Sequence, residues 1–327
     1  MALTSCTVSL AQLPTPLLDS PRLAEAFGVA GRILVKRDDL TGFAVAGNKA
    51  RQLEALVGDA LGNGADTLVT GGAPSSNFCQ AAVAAARWAG LACVLVYAGS
   101  PSAERHPNHA AALHWGARIL WTGDPDRASV DAGVEVAAAE VRTSGGTPYV
   151  IPRGGATPLG ATAFHRAAEE LVGQLDDLGV DDHVLVVLAV GSGGTAAGLL
   201  SGSAAHGRRF GVRGAAVSRP TEQTREQVLD LAAGCADLMG TSRPVPGDLV
   251  VHDARGPGHG RASDQGRAAA DIALTAEGLV LDPAYSAKAL AALPALLGPR
   301  AHDSGLSTVF WHTGGLLDAV AEWNQHG

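Results

Sequence analysis

Short apolar runs alternate with stretches of helical spacing along nearly the whole chain. The first half predicts strands at 32–36, 67–70, 92–97, 119–122 and 149–151. Between them lie predicted helices at 48–61, 76–89, 109–115, 128–144 and 161–175. The first of these sets Leu53, Leu56, Val57 and Leu61 on one face, the spacing of an amphipathic helix. The second half repeats the pattern. Residues 184–190 form an unbroken apolar run, as in a parallel strand covered on both faces. Strands are predicted at 212–217 and 308–311, and helices at 222–233, 261–275, 287–297 and 316–323. Strand–helix alternation of this kind predicts an α/β fold with mostly parallel twisted sheets flanked by helices. The stretch 241–260, rich in proline, glycine and histidine, predicts a long loop over a site. No repeat of fixed period interrupts the pattern.

Composition narrows the function classes. The chain has 327 residues, enough for two α/β domains. Its net charge of −8 argues against a nucleic-acid partner, which requires a basic face. No charge-free run is long enough to span a membrane, and residues 1–12 lack the basic start of a signal peptide. Cys6, Cys79, Cys93 and Cys235 form no Cys-x-x-Cys pair, so neither zinc site nor disulfide framework is predicted. A reducing cytoplasm fits. Lysine is scarce: Lys36, Lys49 and Lys288 are the complete set, so any covalent lysine must be among them.

Five segments carry candidate chemistry. Gly191-Ser192-Gly193-Gly194-Thr195 joins a strand to a helix, and its small residues let backbone N–H groups face a phosphate at the helix start. The absence of Gly-Lys-Ser/Thr excludes a nucleoside-triphosphate loop. A dinucleotide loop stays open, because Gly191-x-Gly193-x-x-Ala196 is a permitted variant and Arg219 can serve a 2′-phosphate. Gly47-Asn48-Lys49-Ala50-Arg51 opens a helix, with Asn48 as its expected N-cap. A lysine in a first helical turn opposes the dipole. A lowered pKa there suits imine chemistry, although a solvated surface lysine fits the same residues. Gly71-Gly72-Ala73-Pro74-Ser75-Ser76-Asn77 is a second anion cradle, or a serine-capped helix start. Tyr285, within Asp282-Pro283-Ala284-Tyr285-Ser286, is a proton-donor candidate or a core tyrosine. His312-Thr313-Gly314-Gly315 allows close approach to a ligand.

Taken in order, these segments resemble the pyridoxal 5′-phosphate (PLP) enzymes that include D-cysteine desulfhydrase and 1-aminocyclopropane-1-carboxylate (ACC) deaminase. The likeness begins at Leu13-Pro14-Thr15-Pro16-Leu17. It continues through Lys36-Arg37-Asp38-Asp39-Leu40-Thr41-Gly42, Gly154-Gly155, Pro158-Leu159-Gly160 and Glu277-Gly278 to His312. The resemblance implies the two-domain fold type II of PLP enzymes, similar to the tryptophan synthase β subunit. It implies a discontinuous PLP-binding domain of residues 1–50 and 160–327, a substrate-loop domain of residues 51–159, and a homodimer. It implies PLP on Lys49 with Asn48 beside it, its phosphate on Gly191, Ser192, Gly193, Gly194 and Thr195, and Ser286 facing the pyridine nitrogen. Ser75, Ser76, Asn77 and Tyr285 would meet the substrate, with Lys49, Ser75, Tyr285 and His259 as the catalytic set. No metal is expected.

Two departures stand out. The family's substrate loop normally carries an arginine where Cys79 stands, and its Asn is displaced by one place here, so Asn77 is expected to bond the cofactor ring hydroxyl. Gly258-His259-Gly260 stands where the family has Gly-Tyr-Gly, which predicts an acid–base group titrating near neutrality. ACC deaminases resemble one another in having Glu after the active-site tyrosine, where this chain has Ser286. A hydroxyl makes a weaker electron sink than a carboxylate. The expected reaction is therefore β-elimination or β-replacement through an aminoacrylate intermediate, like that of D-cysteine desulfhydrase. ACC deamination, an NADP-dependent dehydrogenase and a catalytically silent PLP-binding homologue are the alternatives.

Overall fold

The computed structural model describes residues 7–103, 105–303 and 305–326. The chain enters through β1 (Leu17–Asp19), α1 (Pro21–Ala26) and β2 (Ile33–Arg37). Helix α2 (Lys49–Gly62) then leads into β3 (Thr67–Gly72), α3 (Asn77–Trp88), β4 (Ala92–Tyr97), α4 (Pro107–His114), β5 (Arg118–Trp121), α5 (Ser129–Thr143) and β6 (Pro148–Val150). The return path is α6 (Pro158–Asp177), β7 (Val184–Val190), α7 (Gly194–Ala205), β8 (Phe210–Ala216), α8 (Thr221–Met239) and β9 (Leu249–Asp253). The last elements are α9 (Asp264–Glu277), α10 (Ser286–Ala291), α11 (Leu293–Asp303), β10 (Thr308–His312) and α12 (Leu316–His326).

Two sheets result. The larger runs β1-β2-β10-β7-β8-β9, and the smaller β5-β4-β3-β6. Every pairing is parallel except β1 with β2. Strand β7 is almost wholly buried because helices cover both faces of its sheet. One core lies under α6, α7 and α8, and contains Phe164, Leu188, Leu199 and Trp311. Another lies under α1, α9, α10 and α11, with Leu23, Val187, Leu290 and Phe310. Helix α2 packs Leu53, Leu56 and Val57 into the core of the smaller sheet. No helix among the described residues is long and apolar enough to cross a membrane.

Helices α6 and α7 meet backbone to backbone. A Cβ on Gly198 would lie 2.1 Å from the Ala161 carbonyl oxygen. Gly198→Ala therefore has to part the two helices, at roughly 1–3 kcal/mol or more, read as a drop in urea midpoint. This packing fixes the start of α7, and hence the 191–195 loop.

The structure corrects two expectations of local structure. The 241–260 stretch is not only loop: it contains β9, paired parallel with β8 at the edge of the large sheet. The single helix expected at 287–297 is two helices, α10 and α11, with Pro294 in the first turn of the second.

Candidate functional site

The loops that follow β3, β7 and β10 at their C-terminal ends open onto one cleft, the usual ligand position in open parallel sheets. Its empty volume is about 1080 Å³ including the open mouth. Lys49, Ser75, Asn77, Ser192, His259 and Tyr285 all line it. Positions 48 to 315 of the chain are thus brought to one place.

Lys49 is the first residue of α2. The start of that helix is pinned by glycine. Gly47 has φ +55°, and a Cβ there would lie 2.3 Å from the Thr313 carbonyl oxygen. The Asn48 N–H donates to that same carbonyl at 3.0 Å. Asn48 does not cap α2 with its side chain, contrary to expectation. Its amide donates instead to Thr195 Oγ1 at 2.9 Å, tying the lysine's helix to the 191–195 loop. The Lys49 amine has no hydrogen-bond or ion-pair partner among the described residues. Its pKa is lowered from 10.5 to about 8, and the cause is burial, not the helix dipole on which the sequence expectation rested. Formation of an imine with an aldehyde needs the neutral amine. Capture of an aldehyde by this amine is therefore expected to speed up with pH until about 8 and then level off, instead of rising towards 10.5. The visible absorbance of the imine formed with added pyridoxal phosphate, followed at a series of pH values, measures this.

Opposite lies an anion cradle. Gly193 is the N-cap of α7 in the left-handed region, φ +93°. The backbone N–H groups of Ser192, Gly193, Gly194 and Thr195 have no acceptor among the described residues. Four converging orphan donors at a helix start fit a phosphate. The carbonyl of Gly191 accepts from Ser218 Oγ and Arg219 Nη1 at 2.8 and 2.9 Å.

The loop after β3 supplies hydroxyl and amide groups. Ser76 Oγ caps α3 by accepting from the Cys79 N–H at 3.2 Å. Ser75 Oγ has no partner among the described residues and lines the cleft. The Asn77 amide is already engaged: its Nδ2 donates to Asp318 Oδ2 at 2.5 Å, and its Oδ1 accepts from Asn108 Nδ2 at 3.2 Å. One amide hydrogen of Asn77 stays uncommitted. Asp318, on α12, also accepts from Asn108 Nδ2 and lies 3.2 Å from His106 Nε2. It thereby fastens α3 and α4 to the last helix. Asp318→Ala is expected to leave Asn77 unheld and to raise the substrate KM about tenfold, measured by steady-state kinetics.

Tyr285 and His259 form a pair, with Tyr285 Oη 3.3 Å from His259 Nε2 and the rings edge to face. Burial, with Asp318 and Asp282 adding to it, raises the phenol's pKa, so Tyr285 keeps its proton. Burial, followed by the charges of Arg127, Lys288 and Arg219, lowers that of His259 to about 4. His259 is therefore neutral near pH 7 and does not titrate there, which overturns the expectation from its residue type. Its loop is held by Lys288 Nζ, which donates to the carbonyls of Arg255 and Gly258 at 2.7 and 2.9 Å. Ser286 sits one layer back, 1% exposed and outside the cleft wall. Its Oγ lies 3.2 Å from the hydroxyl of Thr313, and Thr313 is the one that lines the cleft.

Sequence reasoning did not single out Arg127, Arg153 or Asp318 in the site, and it treated Thr313 only within a glycine loop. Asp282 accepts from the N–H groups of Ala284, Tyr285 and Ser286 at 3.1, 2.7 and 2.8 Å, and so shapes the Tyr285 turn.

Comparison with known proteins shows the family to which the chain belongs. Residues 8–314 match the family model of pyridoxal-phosphate dependent enzymes. The chain belongs to that family. It is similar to a Pyrococcus abyssi protein provisionally named for ACC deaminase, with 37% identity over 94% of this chain and 91% of the relative. It is also similar to the ACC deaminase of Burkholderia cenocepacia, 36% identical over 95% and 94% of the two chains. A solved ACC deaminase homologue superposes with a TM-score of 0.88 at 31% identity, covering 98% of this chain and 95% of the other. An aspartate racemase, at 18% identity and a TM-score of 0.64, shares the fold. The protein is a PLP-dependent enzyme of the ACC deaminase family with the type II fold, and the NADP-dependent dehydrogenase alternative falls away. Bound PLP withdraws electrons from bonds at the amino-bearing carbon of a substrate.

Proposed function

We propose that Lys49 holds PLP covalently and moves the proton at Cα of a small amino acid, whose breakdown releases ammonia and a 2-oxo acid. The observation that carries this reading is the unpartnered, half-buried Lys49 amine facing four orphan amides across one cleft. Ser192, Gly193, Gly194 and Thr195 hold the phosphate. Asn48 ties Lys49 to that loop, while Ser75, Ser76 and Asn77 meet the substrate carboxylate. Tyr285 donates a proton on the reacting side, and neutral His259, 3.3 Å from its hydroxyl, orients it. Ser286 acts through Thr313 at the ring-nitrogen side.

Two substrates fit this machinery. The names of the relatives support ACC, opened to 2-oxobutyrate, and this reading stands first. Ser286 in place of a carboxylate supports the second, β-elimination or β-replacement on a β-substituted alanine, as in D-cysteine desulfhydrase. Incubating the holoenzyme with ACC and with D- and L-cysteine, and identifying the 2-oxo acid, separates them. 2-Oxobutyrate from ACC supports the first reading, and pyruvate with sulfide the second. A cofactor-loaded protein that turns over neither is a silent homologue. Tyr285→Phe is expected to lower kcat by roughly 10²–10⁴-fold while cofactor absorbance stays, as measured by stopped assays on the loaded variant. The family resemblance further supports a homodimer in the cytoplasm, which light scattering on the purified protein checks for assembly.

A further inference from the structure

Asn77 opens α3 and lines the cleft, and two other helices meet at its amide. Asp318 comes from α12, which follows the last strand of the larger sheet. His106 and Asn108 come from the start of α4, beside the smaller sheet. Asp318 is 7% exposed and Asn108 1%, so little water competes for these groups. Asp318 Oδ2 accepts from Asn77 Nδ2 at 2.5 Å. Its Oδ1 faces Asn108 Nδ2 and His106 Nε2, each at 3.2 Å. His106 Nδ1 accepts from the Asn108 N–H at 3.2 Å, so in the neutral ring the hydrogen sits on Nε2, towards Asp318.

An ionised carboxylate only accepts. It therefore dictates which end of each amide faces it. A reversed Asn77 would set its oxygen against Asp318 and its nitrogen against Asn108 Nδ2, two like-against-like contacts in place of two bonds. A reversed Asn108 would set its oxygen against three acceptors: the Ser75 carbonyl, 2.9 Å from Nδ2, Asn77 Oδ1 and Asp318 Oδ1. Asn108 keeps its sense although its own Oδ1 is buried with no partner among the described residues. An orphaned acceptor costs stability, and the contacts of Nδ2 offset that cost.

We infer that Asp318 and Asn108 are positioning residues that fix the sense of the Asn77 amide, so that it presents to the cleft an N–H that meets an anionic oxygen of the bound ligand. The inference rests on the role proposed above for Asn77. Of its two amide hydrogens, Asp318 takes one and the other is free, while Oδ1 is occupied by Asn108. Asp318 and Asn108 do not line the cleft themselves and act through Asn77.

The test exchanges the two partners. In the Asn77→Asp, Asp318→Asn double variant, the carboxylate at 77 accepts from both amides. The amide at 318 turns its oxygen to Asn108 and His106, and every bond is restored. Each single change leaves at least one pair of like groups face to face. Urea titration of the apoproteins should show a lowered midpoint for each single variant and recovery of most of that loss in the exchange, the coupling expected of groups in contact. A second comparison avoids a carboxylate at 77. Asn108→Ala removes the donor that opposes a reversed Asn77, so Asp318→Asn should lower the midpoint less in that background than in the parent. In the PLP-loaded protein, Asp318→Asn reverses the Asn77 amide without adding charge to the cleft. It should raise the KM for ACC or cysteine roughly tenfold, with a smaller change in kcat. The exchange variant should keep a raised KM despite its recovered fold, because residue 77 then offers only acceptors. An exchange that recovers no stability, or a loss from Asp318→Asn undiminished by Asn108→Ala, overturns the inference. So does an exchange that regains the parent's KM, since the ligand would then need no N–H from residue 77. A protein that binds no PLP, or turns over neither amino acid, ends the proposed function, and the urea comparisons then decide the inference alone.

Discussion

Lys49→Ala is expected to abolish the visible absorbance of lysine-bound PLP and to lower turnover by roughly 10²–10⁴-fold or more. Neither remaining lysine can replace it. Lys36 is fully buried and bonded to Glu170, Gln174 and the Thr15 carbonyl. Lys288 is committed to the carbonyls that hold the His259 loop. The cofactor should still bind without a covalent link, because the four amides of the 191–195 loop do not depend on Lys49. The variant should be as stable as the parent when apo, since the amine makes no bond and its burial disfavours charge. Absorbance and kinetics on the same preparation check the prediction. A variant with the parent's spectrum would contradict it.

Arg51→Ala is expected to produce the largest loss of stability, roughly 3–5 kcal/mol. Arg51 lies two residues beyond Lys49 on α2, so its side chain leaves the helix on another side. It is 2% exposed and holds two carboxylates. Its Nε and Nη2 reach Asp38, and Nη1 and Nη2 each reach Glu170 at 2.9 Å. Asp38 in turn accepts from Trp311 Nε1 at 2.8 Å and from Thr15 Oγ1 at 2.9 Å. Removing the guanidinium leaves the fully buried Asp38 and the partly buried Glu170 with Lys36 as their remaining counter-charge. Arg51→Lys should recover only part of the loss, because an ammonium cannot span both partners in the same bidentate way. The network also sets the position of α2, so the pH at which Lys49 captures the cofactor should shift in the same variants. Urea titration measures the stability term, and a loss below about 1 kcal/mol would mean that Lys36 alone neutralises the cluster.

The strands that were legible in the sequence are those whose environment is uniform. The runs at 92–97 and 184–190 coincide with β4 and β7, because burial on both faces demands an unbroken apolar segment. Strand β9 escaped because it lies at a sheet edge, where Val250 and His252 are exposed and a proline- and glycine-rich stretch precedes it. The glycine loop at 191–195 and Lys49 were legible for a related reason: a backbone cradle and a scarce residue leave local marks. The side chains around them did not. Asn48 has the residue type of a cap, yet a partner 147 positions away claims its amide. Asp318 meets Asn77 across 241 positions, a pairing no local pattern encodes. The low pKa of His259 depends on burial and on three cations from three separate segments, so residue type alone pointed the wrong way. Ser286 occupied the expected position in the chain, but folding placed the hydroxyl of Thr313 between it and the cleft.

The measurement that bears most directly on the account is borohydride reduction of the PLP-loaded enzyme, followed by peptide mass mapping. Reduction fixes the cofactor irreversibly on whichever amine carries it, and the chain offers three lysines from which to choose. The expected result is a single phosphopyridoxyl group on Lys49, in the peptide that includes Asn48 and Ala50. Label on Lys36 or Lys288, or no label on any lysine of a protein that binds PLP, would contradict the assignment of this cleft.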